Sequence, residues 1–241
     1  MTDLYESYHA RTKKVGKVIK KNNFTYYNIL NFLGKHLKPG MKILDVGCGA
    51  GTIDLYLGKI VYEVVGVDIS GQAIQAARNT AKTLGVNGVR FFKKNLESES
   101  LDFGKFDLII CSEILEHLGD HEMIFKKILV HLRRGGLVMV TVPSKKAPLY
   151  RMGLTKSFDR RVGHLRRFDV KMLEVLARDN GLNVLEIRKT ESLFRNALFV
   201  FPGWGVIIKF IRGPLVFVFH FFDAIFARLL GESQILMMAK K

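Results

Sequence analysis

The side chains best suited to chemistry in this sequence surround a glycine-rich segment, Ile43 to Asp54. An apolar run leads into Asp45, and glycines follow at Gly47, Gly49 and Gly51. Glycines at alternate positions allow backbone angles that other residues avoid, and they let a ligand approach the main chain closely. The segment therefore predicts a strand, a ligand-binding loop and the start of a helix.

The charge of Asp45 indicates which kind of ligand suits this loop. A carboxylate beside a helix start would repel a pyrophosphate, so the acid favours a ligand that carries positive charge. A second apolar run, Val64 to Asp68, ends in another acid about twenty residues beyond the glycines, where a carboxylate can bind both hydroxyls of a ribose. An adenosine with a cationic tail satisfies both acids.

The pattern Asp45-x-Gly47-x-Gly49-x-Gly51 followed by Asp68 resembles that of the class I S-adenosylmethionine-dependent methyltransferases. The resemblance covers roughly residues 40 to 190 and the final strand. It implies a Rossmann-like fold, S-adenosylmethionine as the cofactor and transfer of its methyl group. The residues implied in cofactor binding are Asp45, Gly47, Cys48, Gly49, Gly51, Asp68, Ile69, Asn95, Leu96 and Ser112. A Rossmann protein that binds another nucleotide is the alternative.

Within this set, the resemblance places Asp45 and the glycines at the methionine end of the cofactor and Asp68 at its ribose. Asn95 and Ser112 would lie near the adenine. The family usually has an acid where this chain has Asn95. An asparagine carbonyl can still accept a hydrogen bond from the adenine amino group.

The order of the predicted elements favours an α/β fold. Apolar runs alternate with amphipathic helices, which is typical of a parallel sheet covered on both faces. The predicted strands of this part are Lys42 to Val46, Val64 to Asp68, Val89 to Lys93, Phe106 to Ser112 and Gly136 to Val142. The resemblance implies a mostly parallel seven-stranded sheet in which the last strand, Gln234 to Ala239, is antiparallel.

We expect one methyltransferase domain over residues 1–241. It would consist of a helical segment (1–40), the cofactor-binding core (41–190), a hydrophobic helical insertion (191–232) and the final strand (233–241). In the resembled family an N-terminal segment often folds over the cofactor, which would bring Tyr5, Tyr8 and Arg11 to the site. A solvated basic terminus is the alternative.

Composition indicates which kinds of partner and which cellular compartment to expect. The 241 residues carry a formal charge of +16, which would attract phosphates, nucleic acid or an anionic membrane surface. The two cysteines, Cys48 and Cys111, lie in the glycine loop and at a strand end, which favours reduced thiols over a disulfide framework. The first residues lack the sustained apolar core of a secretion signal. We therefore expect a cytoplasmic protein.

A second chemical pattern, Glu113-x-x-Glu116-His117, follows the fourth predicted strand. The Asn/Asp-Pro-Pro-Tyr loop of base N-methylating relatives is absent there, and neither cysteine follows a proline, as in cytosine C5 chemistry. Two carboxylates and an imidazole at this spacing could hold a divalent metal such as Mg²⁺.

The same spacing resembles two metal-dependent groups, the O-methyltransferases of the ubiquinone pathway and the enzymes that methylate the terminal 2′-hydroxyl of small RNAs. The latter add a histidine after the fifth strand, where this chain has His164. The metal candidates are therefore Glu113, Glu116, His117 and His164. In relatives with no known metal the motif caps a helix and packs under the cofactor, and that alternative stays open.

The connection from Pro143 to Phe168 is long and rich in lysine and arginine. Long loops at the carboxyl edge of a sheet tend to be functional, and arginine pairs suit phosphate or carboxylate. The loop is predicted to be a lid for an anionic acceptor, or else a solvated basic loop. Its His164 is also the candidate general base, because an unperturbed imidazole titrates near neutrality.

The segment Ala197 to Leu230 is unusually aromatic. Charged residues interrupt its apolar runs, which are shorter than a spanning helix requires. It is predicted to be an interfacial segment that dips into a membrane surface, or the wall of a lipid-binding groove. A homodimer interface or a cap on the core is the alternative.

Taken together, these patterns predict an S-adenosylmethionine-dependent O-methyltransferase that acts on a small or lipid-like, anionic acceptor at a membrane surface. A metal-dependent RNA terminal 2′-O-methyltransferase is the first alternative. The high positive charge favours it, and the aromatic insertion makes nucleic acid the less favoured partner. The second alternative is a non-catalytic, cofactor-binding protein that kept the fold.

Overall fold

The computed structural model describes residues 17–60, 63–201, 203–211 and 214–241. Its strands are β1 (Lys42–Val46), β2 (Glu63–Asp68), β3 (Val89–Lys93), β4 (Phe106–Ser112), β5 (Leu132–Pro143), β6 (Asn183–Thr190) and β7 (Gln234–Lys240). They form one seven-stranded sheet in the order β3-β2-β1-β4-β5-β7-β6. Strands β1 to β5 pair in parallel, whereas β7 is antiparallel to both β5 and β6. The predicted fold class is confirmed.

Helices cover both faces of this sheet. They are α1 (Tyr27–Leu33), α2 (Thr52–Lys59), α3 (Gly71–Leu84), α4 (His121–Leu129), α5 (Pro148–Arg151), α6 (Lys156–Val162), α7 (Val170–Asp179), α8 (Leu193–Val200) and α9 (Pro214–Leu230). Two short 3₁₀ helices occupy Leu115–His117 and Trp204–Lys209. Helix α1 lies in the predicted helical segment 1–40, and the predicted loop from Pro143 to Phe168 contains α5 and α6.

Side-chain caps explain where the principal helices begin. The Ser70 hydroxyl accepts a hydrogen bond from the Ala73 N–H at the start of α3. Asp169 accepts one from the Met172 N–H at the start of α7. Each cap satisfies an N–H group that the first helical turn leaves without a partner. These starts follow β2 and β5, so both helices leave the carboxyl edge of the sheet.

The core lies on both faces of the central strands, because most residues of β1 and β4 are buried and both sides of these strands are covered. Phe125, Phe168 and Leu173 fill one face, between the sheet and helices α4 and α7. The other face packs against α1 and α2 through Phe32 and Leu57. Both packed layers hold the strand ends at fixed positions. The carboxyl edge of the sheet carries the predicted site residues.

Strand β5 begins at Leu132, before the predicted Gly136. Leu132 pairs with Phe106, and a register shift follows before Leu137 pairs with Leu108. This irregularity explains why an apolar pattern alone gave a shorter strand. The predicted hydrophobic insertion consists of α8, the second 3₁₀ helix and α9. Within the described ranges, no helix is long and apolar enough to cross a bilayer.

Candidate functional site

A cavity of about 860 Å³ opens at the carboxyl ends of β1, β2 and β4. Most of the predicted cofactor residues line it, namely Asp45, Gly47, Cys48, Gly49, Asp68, Ile69, Asn95, Leu96 and Ser112. Gly51 is outside the cavity wall. The parallel strands end at one edge of the sheet, and this topology brings residues distant in sequence to one site.

The glycine loop is fixed to the end of β2. The Gly49 N–H donates to Oδ2 of Asp68 at 2.9 Å, and the Ser70 N–H donates to Oδ1 at 2.8 Å. The N–H groups of Gly47 and Cys48 both donate to the Val67 carbonyl. The carboxylate of Asp68 is therefore held at the cavity edge, with its remaining lone pairs available for a ribose.

Two glycines of the loop are required for different steric reasons. Gly47 has φ +77°, and a Cβ there would lie 2.9 Å from Cδ1 of Ile114. Gly51 has φ +71° and starts α2, where a Cβ would lie 2.6 Å from Cζ of Phe91. Packing between the helix start and β3 therefore requires a glycine at position 51, and the cofactor contact of Gly51 stays a prediction.

Gly66 in β2 supports the loop from below. A Cβ there would lie 2.7 Å from Oδ1 of Asp54, 2.8 Å from Cδ1 of Phe91 and 2.9 Å from Sγ of Cys48. We expect Gly66→Ala to lower the free energy of unfolding by about 1–3 kcal/mol, because overpacking displaces neighbours. Urea denaturation measures this loss.

Gly119→Ala is the matched control, because its Cβ would meet one flexible side-chain oxygen at 3.4 Å. Its free energy of unfolding should change by less than about 0.5 kcal/mol. Equal stability of the two variants would contradict the packing assigned to Gly66.

The adenine end of the predicted site is formed by Asn95 and its neighbours. Oδ1 of Asn95 accepts a hydrogen bond from the Glu97 N–H at 3.0 Å and keeps a second lone pair for a ligand. Leu96 and Ile69 add apolar surface to the same wall. The Ser112 hydroxyl is 3.0 Å from the Thr141 hydroxyl, which holds it at the end of β4.

Three of the predicted metal residues meet beside this wall, which His117 and His164 line. Glu116 is fully buried in the 3₁₀ turn, and neither of its carboxyl oxygens receives a hydrogen bond within the described residues. Its Oε1 is 3.9 Å from Nε2 of His117 and 3.9 Å from Nε2 of His164. One ligand atom from each of these three side chains lies within 4.8 Å of the other two.

The opposite ring nitrogens of the two histidines contact acceptors. Nδ1 of His117 is 3.1 Å from the Gly163 carbonyl, and Nδ1 of His164 is 2.9 Å from Oδ1 of Asp159. We assign a hydrogen to each Nδ1, which leaves the Nε2 lone pairs directed toward Glu116. Burial, and then the neighbouring His164, lower the pKa of His117 to about 4. His117 is therefore neutral near pH 7.

Asp159 holds His164 in this orientation. Its other partners are Arg167, whose guanidinium lies 2.6 Å from Oδ1, and the Thr155 hydroxyl. Burial alone would raise the pKa of Asp159, but the hydrogen bonds from His164, Arg167 and Thr155 outweigh it and hold the pKa below its usual value. Arg161 and Arg167 both line the cavity, but the charge of Arg167 is already paired with Asp159.

Glu113, the remaining metal candidate, lies beside this cluster. It has φ +52°, and its Oε1 accepts hydrogen bonds from the Thr141 hydroxyl and the Gln234 amide. Burial, followed by the charge of Glu113, raises the pKa of Glu116 well above its usual value. Glu113 is therefore positioned by β5 and β7 next to Glu116, outside the three-residue cluster.

Sequence patterns missed a buried arginine in the cavity wall. Arg195 on α8 is buried, and its Nε is 2.6 Å from Oε1 of Glu191. It also donates to the carbonyls of Phe24 and Thr25, which join the N-terminal segment to the insertion. The four-residue spacing of Glu191 and Arg195 was the available signal. The candidates Tyr5, Tyr8 and Arg11 lie outside the described residues.

Comparison with known proteins identifies the family. Residues 21–187 match the model of a methyltransferase domain, which is more than half of the chain. This chain belongs to the class I S-adenosylmethionine-dependent methyltransferases. The family agrees with the resemblance of the glycine loop, and the assignment of this cavity to the cofactor stays a prediction.

Curated relatives match a shorter part of this methyltransferase. The ubiquinone biosynthesis O-methyltransferase of Coxiella burnetii is 34% identical over 113 residues, which cover 46% of this chain and 48% of that protein. The same enzyme of Colwellia psychrerythraea is 30% identical over 115 residues, covering 47% and 46%. The chain spans about half the length of the curated relatives it matches.

Solved structures extend the likeness in fold over the whole methyltransferase. The magnesium protoporphyrin IX methyltransferase of Synechocystis, with bound S-adenosylhomocysteine, has a TM-score of 0.66 at 16% identity and covers all of this chain and 97% of that one. A putative methyltransferase in complex with the Trm112 activator of Haloferax volcanii has a TM-score of 0.68 at 16% identity, covering 98% and 96%. At these identities the likeness concerns the fold.

Proposed function

We propose that this methyltransferase transfers the methyl group of S-adenosylmethionine to a hydroxyl oxygen of a small or lipid-like, anionic acceptor at a membrane surface. The observation that carries the proposal is the cluster of Glu116, His117 and His164. His117 and His164 line the same cavity as Asp45 and Asp68. The similarity to O-methyltransferases of ubiquinone biosynthesis supports oxygen as the methylated atom.

A divalent metal fits this cluster. Burial disfavours the ionised form of Glu116, whose oxygens have no hydrogen bond of normal geometry from a described donor, and a cation would compensate its charge. Two imidazole nitrogens and one carboxylate oxygen suit Mn²⁺ or Zn²⁺ better than Mg²⁺, which prefers oxygen ligands. The proposed ligands are Glu116, His117 and His164, with Glu113 beside them. A bound divalent ion would orient the acceptor hydroxyl and lower its pKa.

The protein's own contribution is mainly alignment. A sulfonium is an activated methyl donor, so the chain has to hold donor and acceptor in line and remove one proton. Asp68 and the glycine loop would fix the donor. Arg161 also lines the cavity, where its positive charge would suit an anionic acceptor, whereas the charge of Arg195 is paired with Glu191. If no metal binds, His164 is the candidate base for the proton.

The outer face of the insertion supports a membrane-surface location. Helix α9 faces the protein with Val216 and Asp223, and Asp223 accepts hydrogen bonds from the backbone N–H groups of Ser192 and Arg195. Its other face is apolar. The exposed apolar side chains here include Trp204, Val206, Ile207, Phe210, Leu215, Phe217, Val218, Phe221, Phe222, Ile225, Leu229 and Leu230. Aromatic and aliphatic groups on one helix face suit the headgroup region of a bilayer.

Vesicle flotation tests this location. We expect the protein to float with anionic vesicles at low salt and to remain bound at high salt, because burial of apolar side chains is insensitive to salt. Replacing both Phe217 and Phe221 with aspartate should abolish flotation. Val130→Asp, an exposed apolar position at the end of α4, is the control and should float normally.

RNA is the second candidate acceptor, and the formal charge of +16 favours it. RNA binding through lysine and arginine would weaken steeply with salt. Loss of vesicle binding at high salt, together with salt-sensitive binding of a small RNA, would favour this alternative. Normal flotation of the double aspartate variant would contradict the membrane proposal, and dimerisation without flotation would assign the apolar face to a homodimer.

A further inference from the structure

Two carboxyl side chains meet beneath the glycine loop. Asp45, at the end of β1, is almost completely buried, and Asp54, in the first turn of α2, is fully buried. Asp45 pairs in register with Gly66 of β2, and Oδ1 of Asp54 faces the same glycine, which brings the two carboxyl groups together. Neither oxygen of Asp54 has a hydrogen bond of normal geometry from a described donor. The pair lies in a packed layer, since Oδ1 of Asp54 directly faces Gly66.

Two carboxylates cannot hydrogen-bond to each other, because an ionised carboxyl group only accepts. One proton must therefore lie between them or the pair must meet a cation. The ionisable groups that face the pair are Asp68 from β2, Cys48 from the loop and Cys111 from β4. In the described chain, neither Asp45 nor Asp54 forms an ion pair with a lysine, arginine or histidine.

Burial disfavours ionisation of both acids. It raises the pKa of Asp54 to about 7, and burial followed by the charge of Asp54 also raises the pKa of Asp45 well above its usual value. These directions agree with the geometry, because a buried pair of like charges retains a proton unless positive charge arrives. The two groups titrate as a pair, so the proton belongs to both.

We propose that Asp54 shares one proton with Asp45 in the free protein, and that this proton is released to solvent when the cationic methionyl end of S-adenosylmethionine binds beside Asp45. This inference rests on the proposed cofactor orientation, in which Asp68 binds the ribose. Asp45 lines the cavity, whereas Asp54 lies behind it. Asp54 is therefore a positioning residue that acts through Asp45 and makes cofactor binding depend on pH.

The direction of the pH dependence follows from the charges. Positive charge in the cavity favours the ionised pair, so the bound state holds fewer protons than the free state. The affinity for S-adenosylmethionine should then increase as pH rises, by up to about tenfold per pH unit while the free pair keeps its proton. The slope should flatten above the pKa of the free pair.

Isothermal titration calorimetry counts the released protons when binding is measured in buffers with different ionisation enthalpies. At about pH 6.5 we expect S-adenosylmethionine to release close to one proton per molecule bound. 5′-Methylthioadenosine has the same adenosine and a neutral sulfur without the amino acid, so it should release close to none. The comparison uses the wild-type protein and needs no variant.

Asp54→Asn keeps the shape of the side chain and removes the shared proton. It should bring proton release close to zero and flatten the pH dependence of the Kd, whereas Asp179→Asn, an exposed acid at the end of α7, should behave like wild type. A purely structural role would change stability and leave the proton count unchanged. Equal release with 5′-methylthioadenosine, or unchanged release in Asp54→Asn, would overturn the inference. Absence of any S-adenosylmethionine binding would instead contradict the proposed function.

Discussion

Replacing Asp68 with alanine is expected to weaken binding of S-adenosylmethionine by about 100-fold or more. The carboxylate would accept two ribose hydroxyls, and hydrogen bonds to a charged group contribute about 1.5–3 kcal/mol each. It also accepts the N–H groups of Gly49 and Ser70, so its removal would release the glycine loop. Isothermal titration calorimetry with the purified protein measures the change in Kd.

Asp179→Ala is the control for this experiment, because Asp179 is exposed and pairs with its neighbour Arg178. Its Kd should equal that of the wild type. A second variant is Asp68→Asn, whose amide keeps the size of the side chain but turns a donor toward the loop N–H groups. It separates the effect of these hydrogen bonds from the effect of side-chain size. Wild-type affinity in Asp68→Ala would refute the ribose assignment.

The Glu116→Gln variant is expected to lose binding of Mn²⁺ at the histidine cluster, with at least about a 100-fold weaker affinity, and methyl transfer with it. The amide removes the negative charge that would compensate the cation in a buried site. The electron paramagnetic resonance signal of free Mn²⁺ reports the affinity without an acceptor substrate. The exposed Glu122, in the first turn of α4, provides the control variant Glu122→Gln.

Two results would count against the metal. Wild-type protein that does not bind Mn²⁺ or Zn²⁺ would leave Glu116 as a buried acid that shares a proton with Glu113. Methyl transfer that survives a chelator, but not His164→Gln, would assign proton removal to His164 as a general base. In both cases the cofactor site at Asp45 and Asp68 would remain as proposed.

Local sequence patterns were sufficient for the fold class and the family. The run from Ile43 to Asp54 combines a strand, positive-φ glycines and a helix start within twelve consecutive positions, so its conformation is largely decided by neighbouring residues. The alternation of apolar runs with amphipathic helices predicted the parallel sheet for the same reason. The strand bounds agree closely for β1, β2, β3 and β4. They agree less well for β5, where pairing with β4 decides the start.

Long-range packing decided the rest of the site. His164 is far from Glu116 in sequence, and only the return of the chain after α6 brings its ring to the 3₁₀ turn. Arg195 reaches the N-terminal segment for the same reason, across more than half of the chain. Asp54 looked like an ordinary acid in the first turn of a helix. The fold buried it against Asp45.

The amino-acid sequence by itself therefore determined the glycine loop, the strand-helix order and the acid that follows β2, because these depend on backbone preferences and hydrophobic periodicity over short stretches. Tertiary structure alone decided which ionisable groups share a buried space. Burial and proximity between distant segments set their protonation, and no local pattern encodes those two quantities.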